Sequence, residues 1–229
     1  MRRSRSQGLT QANPRDSLEA STPQRILDAA EAVFARQGYF GATIRDITDA
    51  AEVPLGLARY HFGTKDDLFR EVLGRRAQET CIQLDESLAH ALAHTPVGTC
   101  RLEAVVNAMV SVPIDRLAGG DVGWRHYLQL LSHINQLMDR PDLLEPFRSV
   151  YADTVQGYRE ALRAADPGMT DEAVAWGLHF LQILVGHAIL DLAVTRWMGG
   201  ERQVRDEWTE LHRHLVAHVV GGIKAQLAL

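Results

Sequence analysis

The sequence predicts an all-α chain: an N-terminal three-helix head containing a helix-turn-helix, followed by a larger helical body, about nine helices in total. Three observations predict it. From Thr22 onward apolar residues recur at helical spacing, and no strand-like alternation is sustained. Two helix starts carry a Thr followed three residues later by an acid, Thr43/Asp46 and Thr64/Asp67. The stops between segments are Gly, Pro or Asp clusters, at Pro96-Val97-Gly98, Ala118-Gly119-Gly120, Asp139-Arg140-Pro141, Asp166-Pro167-Gly168 and Gly199-Gly200.

Residues 1–21 are polar and aperiodic, which predicts a disordered basic arm; Arg2, Arg3 and Arg5 either track a nucleic-acid groove or are merely solvated. Thr22 is the expected N-cap of the first helix, with Pro23 in its first turn. Ile26, Ala30, Val33 and Phe34 form its apolar stripe, and Gly38 stops it. A short helix follows from Thr43, with Ile44, Ile47 and Ala51 inward. Glu52-Val53-Pro54 reads as a tight turn, and Leu55 to His61 as a third helix. Thr64 caps a long fourth helix running to about Leu92, through Leu68, Phe69, Val72, Leu73 and Ala77. Further helices are expected at about 99–117, 122–138, 142–165, 170–198 and 201–227, with Pro113 kinking or interrupting its own.

The 229 residues carry a net charge of -5, unevenly spread. Residues 1–65 hold 9 Lys+Arg against 7 Asp+Glu, or +2; residues 66–229 hold 15 against 22, or -7. A weakly basic head on an acidic body fits a head that meets nucleic acid and a body that does not. No apolar run is long enough to span a membrane, and no signal-like apolar stretch follows the basic start, so a cytoplasmic location is expected.

Two short helices joined by a turn of three or four residues are the sequence form of a helix-turn-helix. One helix fits a major groove. Ile44, Ile47, Ala51, Val53, Ala58 and Phe62 would hold the pair onto Ile26, Ala30 and Phe34. Leu55, Leu57, Arg59, Tyr60 and His61 remain as the exposed or partly exposed side of the third helix. The run from Thr43 to Leu68, within about residues 22–75, resembles the TetR (tetracycline-repressor-like) signature. Its marks are a Thr opening the second helix, a turn into a short recognition helix, the aromatic-His-Phe run Tyr60-His61-Phe62, and Lys65 opening the fourth helix.

That resemblance implies a sequence-specific DNA-binding transcriptional regulator, a homodimer on double-stranded operator DNA, released by a small-molecule effector. Carried over position by position, it implies DNA contacts from Thr43, Arg45, Leu55, Gly56, Leu57, Arg59, Tyr60, His61, Thr64 and Lys65. The sequence departs from the family pattern at Glu52, where Gly is usual, at Pro54, where Ser is usual, and at Arg59, often Tyr. These departures keep open an alternative: a helical small-molecule-binding or adaptor protein without an operator.

The body divides into two expected roles, with boundaries 22–65 for the DNA-binding domain and 66–229 for sensing and dimerisation. A ligand site is expected among Trp124, Tyr127, His133, Tyr151, Tyr158, Trp176 and Phe180, since aromatics with polar tips line small-molecule sites and are equally ordinary core residues. The last two segments are apolar enough to pack across a dimer axis, through Leu181, Leu184, Val185, Ala188, Trp208, Leu211 and Leu215. Ten histidines include pairs four apart, His90/His94 and His214/His218, without a third ligand at convincing spacing, so no metal and no cofactor are expected. Cys81 and Cys100 read as small buried hydrophobes, with a redox pair as the other reading. The chain has no phosphate-binding glycine loop, nucleophile elbow or zinc-protease motif, which argues against an enzyme.

Overall fold

In the computed structural model, residues 21–96, 99–137, 139–188, 197–198 and 207–227 are described. The basic arm, the side chain of Cys100 and the residues around Gly199-Gly200 lie outside them. The described residues form nine α-helices and one 3-10 turn.

The head is α1 (Thr22–Gly41), α2 (Ile44–Ala50) and α3 (Leu55–Phe62). Ser21, not Thr22, is the N-cap of α1, and Pro23 sits in its first turn as expected. Gly38 breaks the α1 backbone with φ 67° and ψ 174°, a left-handed conformation that glycine adopts at little cost. The chain then turns into α2, with the Ala42 N–H donating to Gly38 O at 3.3 Å. Ile26, Ala30, Val33 and Phe34, the stripe on α1, are essentially fully buried.

Helix α4 (Lys65–His94) has 30 residues, about 45 Å at 1.5 Å per residue, and joins head to body. The body continues with α5 (Thr99–Ala118), α6 (Val122–Ser132), a 3-10 turn (Ile134–Leu137), α7 (Pro141–Ala165), α8 (Asp171–Ala188) and α9 (Glu207–Gln226). One expectation is corrected and another narrowed. The helix expected over 122–138 ends at Ser132, where the chain tightens into 3-10 geometry and the Gln136 N–H donates to His133 O at 3.0 Å. Of the kink or interruption expected at Pro113, the interruption does not occur: α5 runs through it, as α7 runs through Pro146.

Two apolar clusters organise the chain. One joins Ile26, Phe34, Ile47 and Ala58 of the head to Leu68, Phe69 and Leu73 of α4, and also takes in Leu130, Leu137, Leu143 and Leu144 from the body. The head is therefore seated on α6, the 3-10 turn and the start of α7. The other cluster fills the body with Leu84, Leu88, Leu102, Val106, Leu162, Val174, Leu181, Leu215 and Ile223. Between them lies a charged seam. Glu31 of α1 is buried and accepts from Arg76 of α4 at 2.9 and 3.2 Å. The guanidiniums of Arg76 and Arg116 lie over the Trp124 ring, 4.8 and 4.4 Å from its centre. Gly123 leaves room for Arg76, because a Cβ there would collide with its Nη2.

Candidate nucleic-acid interface

The helix-turn-helix is held by local chemistry. Thr43 and Asp46 form a reciprocal capping box: Thr43 Oγ1 accepts the Asp46 N–H at 3.1 Å, and Asp46 Oδ2 accepts the Thr43 N–H at 3.0 Å. The Thr43 hydroxyl and N–H hold the Asp46 carboxyl below the usual range. The turn between α2 and α3 places Glu52 at φ 53°, the left-handed region, which explains why glycine suits this position. Arg25 of α1 donates to the Ala51 carbonyl at 2.6 Å and the Glu52 carbonyl at 3.2 Å, fixing the turn from below. Glu52→Gly should therefore stabilise the fold by about 0.5–1 kcal/mol, by relieving the left-handed strain net of glycine's entropy. A raised urea midpoint at unchanged slope is the expected readout; a lowered midpoint would show that the Glu52 side chain contributes more than its backbone costs.

On α3, Leu55, Gly56, Arg59, Tyr60 and His61 are exposed, Tyr60 by 81 % and Leu55 by 56 %. Leu57 is partly exposed, as expected, with its other side packed on the head core. Pro54 provides no side-chain cap, so the first amides of α3 are not covered from their own side chain. A Cβ added at Gly56 would meet nothing within 4 Å, so no intramolecular neighbour demands glycine there. Arg45 is exposed and pairs loosely with Asp49 at 3.8 Å, a contact too solvated to hold it.

Helix α4 follows α3 directly, after Gly63 and Thr64. Thr64 and Asp67 form a second capping box, with Thr64 Oγ1 accepting the Asp67 N–H at 3.2 Å. Lys65 Nζ stands 4.4 Å from the centre of the Tyr39 ring, a cation–π contact, and partial burial lowers its pKa. Tyr39 donates its hydroxyl to Asp66, and that bond, first, holds the Asp66 carboxyl low. Thr43 thus caps α2 and Thr64 caps α4, with Lys65 in the first turn of α4 and the exposed α3 between them in the chain. The sequence reading missed Arg25 and also Phe40, which is 63 % exposed and packs edge-on against Tyr39 at 5.3 Å. Phe40 lay outside the α1 stripe, and an aromatic off the stripe was the available signal.

The aromatic residues expected at a ligand site separate into two groups. Trp124 and Tyr127 are buried, edge to face at 5.8 Å. The hydroxyls of Tyr127 and Tyr158 donate to the carbonyls of Leu73 and Leu84, at 3.2 and 3.0 Å, as core tyrosines do. Burial raises both phenol pKa values. Tyr151 Oη is buried facing Tyr127 and Thr80, and no group among the described residues meets hydrogen-bond geometry with it. His133 is the C-cap of α6, half-buried, beside Gln136 at 3.3 Å. Trp176 and Phe180 lie elsewhere, stacked at 5.5 Å on the outside of α8 and about half exposed.

The positions expected at the dimer seam are buried or half-buried within the protomer. Leu181, Val185 and Leu215 are buried in the body cluster, and Leu184, Ala188, Trp208 and Leu211 pack against it. The heaviest stripe of each helix goes to the intramolecular core, where it removes the most apolar area from water. The outer side of α8 and α9 instead carries Trp176 and Phe180 beside a groove of about 200 Å³, lined by Gly177, Phe180, Ile183, Leu184, His218 and Gly222, among others.

Of the histidine pairs, His90 and His94 stack at 4.2 Å, and His214 lies 3.5 Å from Glu210. No group of three or more His, Cys, Asp or Glu among the described residues is placed to hold a metal ion. Cys81 is buried, with Sγ 3.5 Å from the Val150 carbonyl, and burial raises its thiol pKa. No helix among the described residues is long and apolar enough to cross a membrane.

Residues 26–72 match the family model for bacterial regulatory proteins of the tetR family, and residues 107–222 match that for the tetracyclin repressor-like C-terminal domain. The chain belongs to the TetR family. Among curated TetR-family relatives, an Escherichia coli (strain K12) protein named "Probable acrEF/envCD operon repressor" is 34 % identical over 96 residues, 42 % of this chain and 43 % of its own length. The repressor DhaR of a Mycobacterium species (strain GP1) is 34 % identical over 84 residues, 36 % of this chain and 40 % of its own. The matched stretches thus span less than half of these relatives. Among solved structures, the fatty acid degradation regulator FadR from Bacillus halodurans is similar with a TM-score of 0.57 and 17 % identity, covering 86 % of this chain and 97 % of that one. A transcriptional regulator from Aquifex aeolicus VF5 gives 0.54 and 17 %, covering 85 % and 98 %. These two support the TetR-like fold over the 85–86 % of the chain that they cover.

Proposed function

We propose that this TetR-family chain is a homodimeric transcriptional repressor that binds pseudo-palindromic double-stranded DNA and is released by a small-molecule effector. The observation that carries the reading is the exposed face of α3, flanked in the chain by the capped starts of α2 and α4, with Lys65 in the first turn of α4. Helix starts direct free amides and the positive end of the helix dipole at an anion, which suits a DNA phosphate. The capping boxes at Thr43 and Thr64 occupy the N-cap and third amides and leave the intervening ones for phosphate oxygens. Arg45, Lys65, Tyr60 and His61 add backbone contacts; Arg59 reads guanine or holds a phosphate. Leu55 can touch a thymine methyl but cannot hydrogen-bond a base, so DNA shape supplies part of the specificity. That curated relatives of this head are named repressors supports the sign of the regulation.

In this reading residues 22–65 meet DNA, and residues 66–229 sense the effector and form the dimer. The protein works by binding and not by catalysis, in the cytoplasm. The effector site is assigned between α4, α6 and α7, near Trp124, Tyr127 and Tyr151, because the buried Tyr151 hydroxyl has no hydrogen-bond partner among the described residues. An effector there acts by fitting one head spacing better than the other, and linkage requires operator DNA to weaken it by the same factor.

The testing experiment is a titration of a duplex, selected from a randomised pool by the wild-type protein, at several salt concentrations. Affinity should fall steeply with salt through counterion release. Lys65→Ala should weaken all sequences alike and lower the salt slope by about one per lost phosphate contact. Arg59→Ala should cost about 1–3 kcal/mol at one base position if Arg59 reads guanine. If both variants bind as wild type does throughout, the DNA face is misassigned.

A further inference from the structure

The start of α4 contains an electrostatic difficulty. Its first turn carries two carboxylates, Asp66 and Asp67, next to the position where the proposed function places a phosphate. Left bare, they would repel it. The structure covers both, Asp66 from the body and Asp67 from within α4. Arg140, just ahead of α7 and 74 residues away in sequence, reaches back so that its Nη2 lies 2.6 Å from Asp66 Oδ2. Its Nε and Nη2 also meet Asp142 at 3.0 and 2.9 Å, which fixes the guanidinium plane. Its Nη1 donates to Tyr39 Oη at 3.4 Å, and Tyr39 in turn donates to Asp66. The Tyr39 ring so held is the one beneath Lys65 Nζ. Arg70 treats Asp67 likewise, pairing at 2.9 Å while donating to the Asp142 carbonyl at 3.1 Å.

We propose that Arg140 is a positioning residue for DNA binding: it neutralises Asp66 beside the α4 phosphate position and holds Tyr39 under Lys65. The inference rests on the reading of the head as a DNA-binding unit. It goes beyond that reading by giving a body residue direct control over a head contact. Arg140 lies where α7 begins, and the same cluster seats Leu143 and Leu144 against the head core. A shift of the α7 start that draws Arg140 away would turn the Asp66 charge on the phosphate without any change in α3. A planar fork makes these four contacts together, whereas a lysine has one point charge to share among them.

The test uses the full-length protein and the duplex selected by wild type, with Kd measured by fluorescence anisotropy at low and high salt. Arg140→Ala should weaken binding about tenfold at low salt, the order expected of one uncovered charge near a phosphate. The deficit should shrink as salt rises, because an exposed charge is screened. Adding Asp66→Asn to Arg140→Ala should recover most of the loss. A role in fold stability alone would leave the deficit independent of salt, so that result, or affinity equal to wild type, overturns the proposal. If Arg140→Ala melts early, Arg140→Met keeps the aliphatic stem and carries the same comparison. A wild-type protein that selects no duplex at all overturns instead the DNA-binding reading beneath it.

Discussion

Arg76→Ala should destabilise the folded chain by about 3–5 kcal/mol, the usual cost of stranding a buried charge. Its partner Glu31 has a side chain only 2 % exposed, whereas Arg76 is 14 % exposed. Two hydrogen bonds from the guanidinium satisfy both carboxylate oxygens, and Arg75 adds a longer contact at 4.0 Å. Removing Arg76 leaves the carboxylate between α1, α4 and α6 with that long contact in place of its forked partner. It also strips a cation from the Trp124 face. Arg116→Ala is the internal control. Arg116 covers the same ring, but its partner Glu79 is half exposed, and an exposed pair contributes about 0–1 kcal/mol. The double replacement Glu31→Leu, Arg76→Met should regain most of the loss, since apolar residues of similar volume often replace a buried pair without penalty. Urea unfolding measures all three. Equal, small losses in Arg76→Ala and Arg116→Ala would show that Glu31 is solvated or held by Arg75 alone.

The parts of this structure that were legible in the sequence are those decided within a few residues. A Thr and an acid three residues on specify a capping box by themselves, and both boxes form. Gly38 supplies a left-handed residue where α1 must stop. Glu52 was legible as an anomaly in a family turn, and its positive φ accounts for the anomaly. The Ser132 break was not legible, because Ile134 and Leu137 continue a helical spacing and 3-10 geometry accepts the same residues. The seam was invisible for a different reason. Glu31 and Arg76 are 45 positions apart and Arg140 and Asp66 are 74 apart. Periodicity ranks faces by hydropathy and cannot name a partner across such distances.

The same limit explains the site residues. Leu55, Arg59, Tyr60 and His61 on α3 are exposed because the short helix spends its inner side on Ala58 and its neighbours. Leu57 packs partly on that inner side, and on eight residues the two sides are separated by one position. Residue type and place in the chain single out the aromatics but do not say whether a tyrosine hydroxyl will find a backbone carbonyl. Tyr127 and Tyr158 found one; Tyr151 did not.

Phe180→Glu combined with Trp176→Glu should convert the proposed dimer to monomer and weaken binding to the selected duplex by at least about a hundredfold. The reasoning begins from what α8 leaves uncovered. Its Leu181 side is committed to the body core, at 3 % exposed, while Trp176 and Phe180 stand 48 % and 46 % exposed and stack on each other. Stacked aromatics at the rim of an apolar groove have large area to remove from water and little side-chain entropy to lose. On the proposed function a second copy is the fitting occupant, because a pseudo-palindromic site needs two heads and each chain has one. Two carboxylates on that surface would have to be desolvated without partners. A monomer then holds one half-site alone and loses the effective concentration of a linked second head, on the order of 10²–10⁴ in avidity. Leu181→Glu provides the contrast: it places the charge inside the protomer, so it should abolish cooperative unfolding along with assembly. Sedimentation velocity at micromolar concentration, with melting and anisotropy on the same samples, separates these cases. A double variant that melts as wild type does and still sediments as a dimer would move the interface off this face; a monomeric wild type would remove it altogether.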